Sequence, residues 1–255
     1  MKPTAFHDIS RALLALSGPD TDDFLQGLIT NDVKALSAGP LYAAILSPQG
    51  KYLFDFIAQR SGDAILLDIA GDQAAALLSR LNMYKLRAKV EVVPSALVVM
   101  RGGGEAPAGA FADPRSPLLG WRAYVAANDS PALPAGYFDA ARVEAVVPET
   151  GIELLSNDSY ILEMGFERLN GVNFRKGCYV GQEVTARMQH KTELRKGLVR
   201  VQIGGVVPIG SDLTRDGRRI GQVYTQANGK ALAYLRHDLA GLDMQAAGVS
   251  VALDT

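Results

Sequence analysis

The segment KGCYVGQE, residues 176–183, carries the strongest signal in the chain and contains the only cysteine among its 255 residues. Cys178 has glycines on both sides and follows the cationic pair Arg175 and Lys176. The residues after Gly181 favour a helix, whose positive end would lie close to the thiol. Both features favour a reactive thiolate. A lone cysteine is more often a small buried residue, so the local chemistry leaves both interpretations open.

Composition limits the class of protein. One cysteine excludes an internal disulfide and cannot alone supply the ligands of a zinc or iron–sulfur site. The net charge of −1 gives no global attraction for nucleic acid, so direct tRNA binding stays an open question. No apolar run approaches the roughly 20 residues of a membrane span, and no export signal is seen, so we expect no membrane partner and a cytoplasmic location. His7, His190 and His237 show no ligand spacing, and no metal site is predicted.

Hydrophobic periodicity predicts an α+β protein. Strands and helices alternate in the first hundred residues, with turn signals between neighbouring strands. After Leu194 the pattern changes to short strands, with tight turns at Asp216-Gly217 and Asn228-Gly229, which predicts a small β-barrel. The predicted strands before that point cover residues 11–18, 41–47, 51–60, 64–70, 89–94, 96–101 and 120–126, and the predicted helices begin near 20, 72, 137 and 182.

The same segment resembles the signature K-G-C-Y-x-G-Q-E of the folate-binding YgfZ family, which continues to a basic residue. LSGPDTDDFLQGLITNDV and LNMYKLRAKVEV resemble two further segments of that family, most of all in its mitochondrial and α-proteobacterial members. The family is related to the T-protein of the glycine cleavage system, an aminomethyltransferase. The matching signature positions are Lys176, Gly177, Cys178, Tyr179, Gly181, Gln182, Glu183 and Arg187.

The resemblance implies a fold like that of the T-protein. Ferredoxin-like α/β subdomains would form a three-domain ring around a central folate channel, together with a C-terminal β-barrel. On this basis we expect residues 1–190 to form the folate-binding region as two interleaved subdomains, the second at roughly 46–125. Residues 191–255 would form the barrel.

A folate site is also implied by the resemblance. The segment ARVEAVVPETGIEL resembles the T-protein segment whose first Glu receives the pterin, and the match is Glu144. A carboxylate can accept two parallel N–H bonds from the pterin edge. A surface Glu paired with a neighbouring Arg is the open alternative. The other expected folate contacts are Phe138, Arg142, Tyr84 and Arg87, with Arg11 at a further position where relatives have tryptophan.

One departure from the T-protein pattern concerns a carboxylate beside the folate, in a strand that reads roughly G-x-x-L-D-D. Here GKYLFDF places Phe54 at the first acidic position and Asp55 at the second. Neighbouring side chains of a strand point to opposite faces. Asp55 is therefore expected to be a solvated strand residue, and aminomethyl transfer is not expected.

Together these features predict a tetrahydrofolate-binding protein that supports the assembly or repair of iron–sulfur clusters. Its cofactor would be tetrahydrofolate or a derivative, and its partners would be cluster-assembly proteins or iron–sulfur enzymes, through which tRNA modification would be affected. Cys178 is the predicted catalytic residue, with its thiol facing the folate channel. A folate-dependent aminomethyltransferase and a non-catalytic docking scaffold without folate are the alternatives, so catalytic turnover is left open.

Overall fold

Three antiparallel β-sheets organise the part of the chain that the computed structural model describes, residues 4–190 and 194–254. Two sheets are open, and the third is closed into a six-stranded barrel. Helices lie on one face of the larger open sheet and between the sheets. This architecture confirms the predicted α+β class with a C-terminal β-barrel.

Fifteen strands build these sheets, and four α-helices accompany them. The strands are β1 Thr4–His7, β2 Arg11–Ser17, β3 Leu41–Leu46, β4 Tyr52–Ser61, β5 Ala64–Ala70, β6 Glu91–Pro94, β7 Leu97–Gly103, β8 Phe111–Ala112, β9 Trp121–Ala126, β10 Lys196–Ile203, β11 Ser211–Arg215, β12 Arg218–Ala227, β13 Lys230–Arg236, β14 Met244–Ala246 and β15 Val249–Leu253. The helices are α1 Thr21–Gln26, α2 Ala74–Lys85, α3 Asp139–Ala145 and α4 Gln182–Gln189. Within the described ranges, no helix has both the length and the apolar character that crossing a bilayer requires.

The larger open sheet has the strand order β3-β4-β5-β2-β6. One face packs under α1 and α2 in an apolar core that includes Leu25, Leu77 and Phe54. The other face contributes Tyr42 and Ile57 to a second core beside α3. Burial on both faces explains why β3 has no exposed residue and why its sequence is apolar throughout.

A β-bulge sets which residues of β4 face each core. Ile45 lies opposite Phe54 and Leu46 lies opposite Tyr52, so Leu53 is an extra residue in β4. A bulge changes the side-chain alternation of one strand relative to its partner. Leu53 and Phe54 consequently both face the helices, and Tyr52 lies on the same face as Asp55, toward the interior of the molecule.

The smaller open sheet has the order β1-β7-β9-β8 and packs on the larger sheet. Val99 from β7 meets Leu13 from β2 and Leu66 from β5 in a small apolar cluster. The barrel has the closed order β10-β13-β12-β11-β14-β15 and its own core. Its predicted tight turns are confirmed, since Asp216 and Asn228 and the glycines after them all have positive φ angles.

Two predicted helices are shorter than expected. The first ends at Gln26, because the chain then leaves the helix to pair with the sheet: Ile29 forms a bridge with Ile45, and the Thr30 amide donates to the Ala44 carbonyl. The third ends at Ala145, before a left-handed residue at Val146 with φ of 51°.

The domain limits expected near residues 46, 125 and 190 stay predictions. The barrel strands begin at Lys196, and residues 191–193 lie outside the described residues.

Close packing of β12 on β13 generates a stability prediction. A Cβ atom at Gly221 would lie 2.3 Å from the carbonyl oxygen of Tyr234, which is backbone and cannot move aside. Gly221→Ala should lower the free energy of unfolding by about 1–3 kcal/mol, as overpacking does. In the control Gly205→Ala, the new Cβ would be 3.6 Å from Val249, an ordinary contact, and we expect a change within about 0.5 kcal/mol. Equal urea midpoints for the two variants would contradict this packing.

Candidate functional site

Cys178 is exposed, in the loop that leads into α4. The predicted helix start is confirmed, because α4 begins at Gln182 directly after Gly181. Gly181 has φ of 84°, and a Cβ there would lie 2.6 Å from the Ser47 carbonyl oxygen. Glycine is therefore required at this position, where the start of α4 packs against the turn at residues 47–50.

Lys176 does not lie beside the thiol. Its side chain is buried, and its ammonium donates to the carbonyl oxygens of Gln26 at 2.7 Å and Ile29 at 2.5 Å. Gln26 is the last residue of α1, where a cation is favoured by the helix dipole, and Ile29 lies in the segment that follows. Burial lowers the pKa of Lys176 to about 8, against a weaker raising effect of Asp32. Lys176 therefore ties the Cys178 loop to α1.

Further bonds hold the same loop. The Thr30 hydroxyl donates to the Gly171 carbonyl at 2.7 Å, and the Asn173 amide donates to the Thr30 carbonyl at 3.0 Å. The Asn31 side chain donates to the carbonyls of Asn170 at 2.7 Å and Tyr42 at 2.8 Å. The sequence segment around LITND and the cysteine segment thus form one structural unit. Sequence reasoning missed Thr30 and Asn31 because their partners lie about 140 residues away.

The remaining signature residues divide into buried and exposed sets. Tyr179 is buried, and the Gln182 side chain accepts from its backbone amide at 3.3 Å. Glu183 and Arg187 form an exposed pair at 2.7 Å on α4. A Cβ at Gly177 would have no atom within 4 Å among the described residues, so the space beside the thiol is open. Packing accounts for Lys176, Tyr179 and Gly181, but it gives no reason for glycine at 177.

The expectation that the thiol faces a central channel is wrong. The cavity between the two open sheets and α3 has a volume of about 30 Å³. Cys178 is not among its lining residues, because Lys176 turns inward and leaves the thiol on the outside. The cavity is lined by Asp8, Ser10, Arg11, Asp55, Arg101, Arg115, Arg122, Arg142, Glu149 and Thr150.

Arg122 is the centre of a buried ion network around this cavity. Only 1% of it is exposed, and it pairs with Asp68 at 2.7 Å and with Asp113 at 2.9 Å. Arg11 adds a bond of 2.6 Å to Asp68, and Arg115 adds one of 2.8 Å to Asp113. Burial alone would raise the pKa of both carboxyls, but the neighbouring guanidiniums hold the pKa of each below its ordinary value.

The buried charge of Arg101 has fewer ion-pair partners than that of Arg122. It pairs with Asp8 at 3.2 Å, and its guanidinium lies 3.9 Å from the centre of the Phe138 ring. Its Nε has no hydrogen-bond partner among the described residues. Burial, followed by repulsion from Arg122 and Arg115, lowers the pKa of Arg101 to about 9. The aromatic face offsets part of that cost.

Asp55 is buried, which corrects the expectation of a solvated residue. It is 3% exposed and accepts hydrogen bonds from the Tyr42 hydroxyl at 2.9 Å and the Tyr52 hydroxyl at 2.8 Å, with Thr150 as a third partner. Phe54 points the other way, into the core under the helices. The opposite orientations of Phe54 and Asp55 follow from the alternation that the sequence predicts, whereas the partners that bury Asp55 include Tyr42 and Thr150 from other segments, for which the β4 sequence has no signal.

Only some of the residues expected to bind folate are brought together: Arg11 and Arg142 line the small cavity, and Phe138 covers Arg101 beside it. Glu144 is half exposed and pairs across to the barrel, with Arg200 at 2.6 Å and Lys230 at 3.0 Å. This matches the open alternative of a surface ion pair. Arg142 is buried and binds Glu153 at 2.6 Å, and Phe138 covers Arg101. Tyr84 and Arg87 lie at the end of α2, apart from both.

A larger cleft of about 820 Å³ lies between residues 153–164, the end of α4 and the barrel. Sequence analysis did not identify it, since its walls come from three distant segments. Among the described residues, no group of three or more His, Cys, Asp or Glu side chains is arranged to hold a metal ion. The cleft is lined in part by Tyr160, Tyr224, Tyr234, Met164 and Met188.

Comparison with known proteins places the chain in a family. Residues 195–255 match the family described as CAF17, C-terminal beta-barrel domain, which covers the observed barrel. The human iron–sulfur cluster assembly factor IBA57 is 33% identical over 270 aligned positions, spanning 88% of this chain and 75% of the relative. The mouse protein is 33% identical over 243 positions, spanning 80% and 68%. The chain belongs to the IBA57 family.

The IBA57 homolog of Neurospora crassa is 30% identical over 225 positions, which cover 74% of this chain and 51% of the relative. The chain thus spans about half the length of that fungal relative. All three relatives are named as mitochondrial proteins, which contradicts the predicted cytoplasmic location.

A glycine cleavage system aminomethyltransferase T from Bartonella henselae has the same fold. The TM-score is 0.79 at 15% identity, over 98% of this chain and 84% of that structure. The relationship to the T-protein that the sequence implied is therefore confirmed for the fold.

The ion network generates a second prediction. In Asp68→Asn, a neutral amide would face Arg11 and Arg122, and leaving buried charges unpaired should cost about 3–5 kcal/mol of unfolding free energy. The control Asp212→Asn breaks an exposed pair with Arg219 and should cost less than about 1 kcal/mol. Chemical denaturation measures both values.

The pH dependence of the same pair of proteins has a defined sign. Because the folded-state pKa of Asp68 is depressed, its stabilisation is fully present above the unfolded pKa of about 3.9 and is lost as pH falls through the folded value. The stability difference between wild type and Asp68→Asn should be constant near neutrality and shrink below about pH 4. A difference that stays constant down to pH 2 would show that Asp68 is not held as an ion.

Proposed function

We propose that this chain supports iron–sulfur cluster assembly, with Cys178 as the group that meets the cluster. The proposal rests on the position of the only cysteine. Cys178 is exposed, the space next to Gly177 is free, and the loop is held to the body of the protein by the buried Lys176. Membership of the IBA57 family supports the process, since its relatives are named as iron–sulfur cluster assembly factors.

A single thiolate implies a shared cluster. Iron–sulfur clusters are commonly held by four cysteine ligands, and this chain has one. The other ligands would then come from a partner that carries the cluster. An exposed thiol suits such a contact, whereas a buried one would not, because the cluster must reach it while bound to another protein.

The loop around Cys178 is already ordered, and it carries a positive charge that favours this contact. Lys176, Thr30 and Asn31 fix the loop to the body, so the thiol needs little ordering when the partner arrives. Arg175 is exposed three residues before the thiol, and a cation in this loop complements a cluster, which is anionic when its ligands are thiolates. Gly177 leaves room for the close approach of another backbone.

Two parts of the sequence hypothesis rest on the resemblance alone. Binding of tetrahydrofolate is a prediction of that resemblance, and the expected contacts that do lie together, Arg11, Arg142 and Phe138, surround a cavity of only about 30 Å³, so no step of the proposal is routed through it. Effects on tRNA modification would arise only through cluster-dependent enzymes. No specific observation favours aminomethyl transfer over cluster assembly.

Cys178→Ser gives the decisive variant. It should abolish support of a [4Fe–4S] enzyme in cells lacking the endogenous relative, because a hydroxyl cannot replace a thiolate toward iron. Its melting temperature should match wild type, since the side chain is exposed. The control Arg218→Ala changes an exposed barrel residue and should retain full support.

Full support by Cys178→Ser, at equal protein level, would refute the role of the thiol. Loss of support together with a lowered melting temperature would point to a structural role instead. The enzyme activity and the melting curve therefore have to be measured on the same variant.

A further inference from the structure

The cavity at the centre of the fold is too small for a pterin. Its volume is about 30 Å³, enough for one or two water molecules. Pockets that bind ligands of drug-like size have volumes of about 300–1,000 Å³. The central position at which the related T-protein fold is expected to hold folate is here filled by the chain's own side chains.

The side chains that fill it are held in place from two sides. Arg122 comes from β9 in the smaller sheet and binds Asp68 of β5 in the larger sheet. Arg142 of α3 binds Glu153, whose other oxygen accepts from the Thr225 hydroxyl of the barrel at 2.6 Å. The first bond joins the two open sheets, and the second set joins α3 to the barrel. Moving Arg122 aside would take one of two arginine partners from both Asp68 and Asp113, which destabilises two buried carboxylates at once.

Nor is the buried carboxylate of the cavity available to a ligand. Asp55 already accepts from the hydroxyls of Tyr42, Tyr52 and Thr150. Burial beside Asp55 raises the pKa of both tyrosines well above the ordinary value, so both remain donors near neutrality. A pterin amine could bind Asp55 only by displacing these donors and leaving them buried without a partner.

We propose that the centre of this chain is closed to folate, and that the ion network around Arg122 replaces a bound cofactor as the element that joins the two open sheets. The chain would then reach its native arrangement without a cofactor. Any folate that binds would do so outside the centre, for example in the 820 Å³ cleft, whose volume is sufficient.

Calorimetric titration with tetrahydrofolate, and separately with 5-formyltetrahydrofolate, tests the proposal on the full chain. We expect no saturable heat up to about 1 mM, a concentration that half fills even a site with that Kd. Saturable binding that is unchanged in Asp55→Asn but lost in Tyr224→Ala would also support the proposal, because it would place the ligand in the cleft.

One-to-one binding that weakens tenfold or more in Asp55→Asn, while the melting temperature holds, would overturn the proposal. If that variant does not fold, hydrogen exchange of the wild type replaces it. Ligand-dependent protection of amides in β4 and β9 would overturn the proposal, and protection confined to the cleft segments or absent altogether would support it. Failure of Cys178→Ser to impair cluster assembly would leave this result unaffected.

Discussion

The pairing of Arg122 with Asp68 and Asp113 is the interaction on which the rest of the structure depends. All three side chains are buried, and the arginine joins one open sheet to the other. Each unpaired charge would cost several kcal/mol, in a protein whose total stability is of the order of 5–15 kcal/mol. The two sheets can therefore adopt only an arrangement in which these charges meet. A separate buried pair, Arg142 with Glu153, connects α3 to Thr225 of the barrel.

Because the central cavity is filled by side chains, the reactive group we propose, the Cys178 thiol, lies on the surface. Lys176 shows how the two are connected, because its ammonium points into the body while the thiol two residues later points out. The lysine, Tyr179 and Gly181 fix the loop. Gly177 and Cys178 do not contribute to packing, as expected of residues that contact a partner protein. Some residues of the cysteine signature therefore hold the loop in place, and the others remain available for contact with a partner.

Local patterns predicted much of the fold and only part of the site. Seven of the nine strands before the barrel, the start of α4 and the turns at Asp216 and Asn228 depend on neighbouring residues, so sequence alone identified them, whereas the short strands β1 and β8 were not predicted. Glu144 shows the limit. Its local segment resembles a pterin-binding one, but its partners are Arg200 and Lys230, 56 and 86 residues away. Asp55 is buried by Tyr42, Tyr52 and Thr150, and the bulge that puts Tyr52 on its face cannot be read from periodicity. The ion network likewise joins residues that are more than fifty positions apart.

The accessibility of the thiol tests the central claim most directly. If the interior of the protein is closed, the Cys178 sulfur must lie on the surface and react with reagents in solution. A maleimide attached to a large polymer can react only with a thiol on the outside of the folded chain. We expect native protein to be modified at a rate close to that of an unfolded cysteine peptide, with no change in its melting temperature. A thiol that stays protected until the protein unfolds would contradict the account.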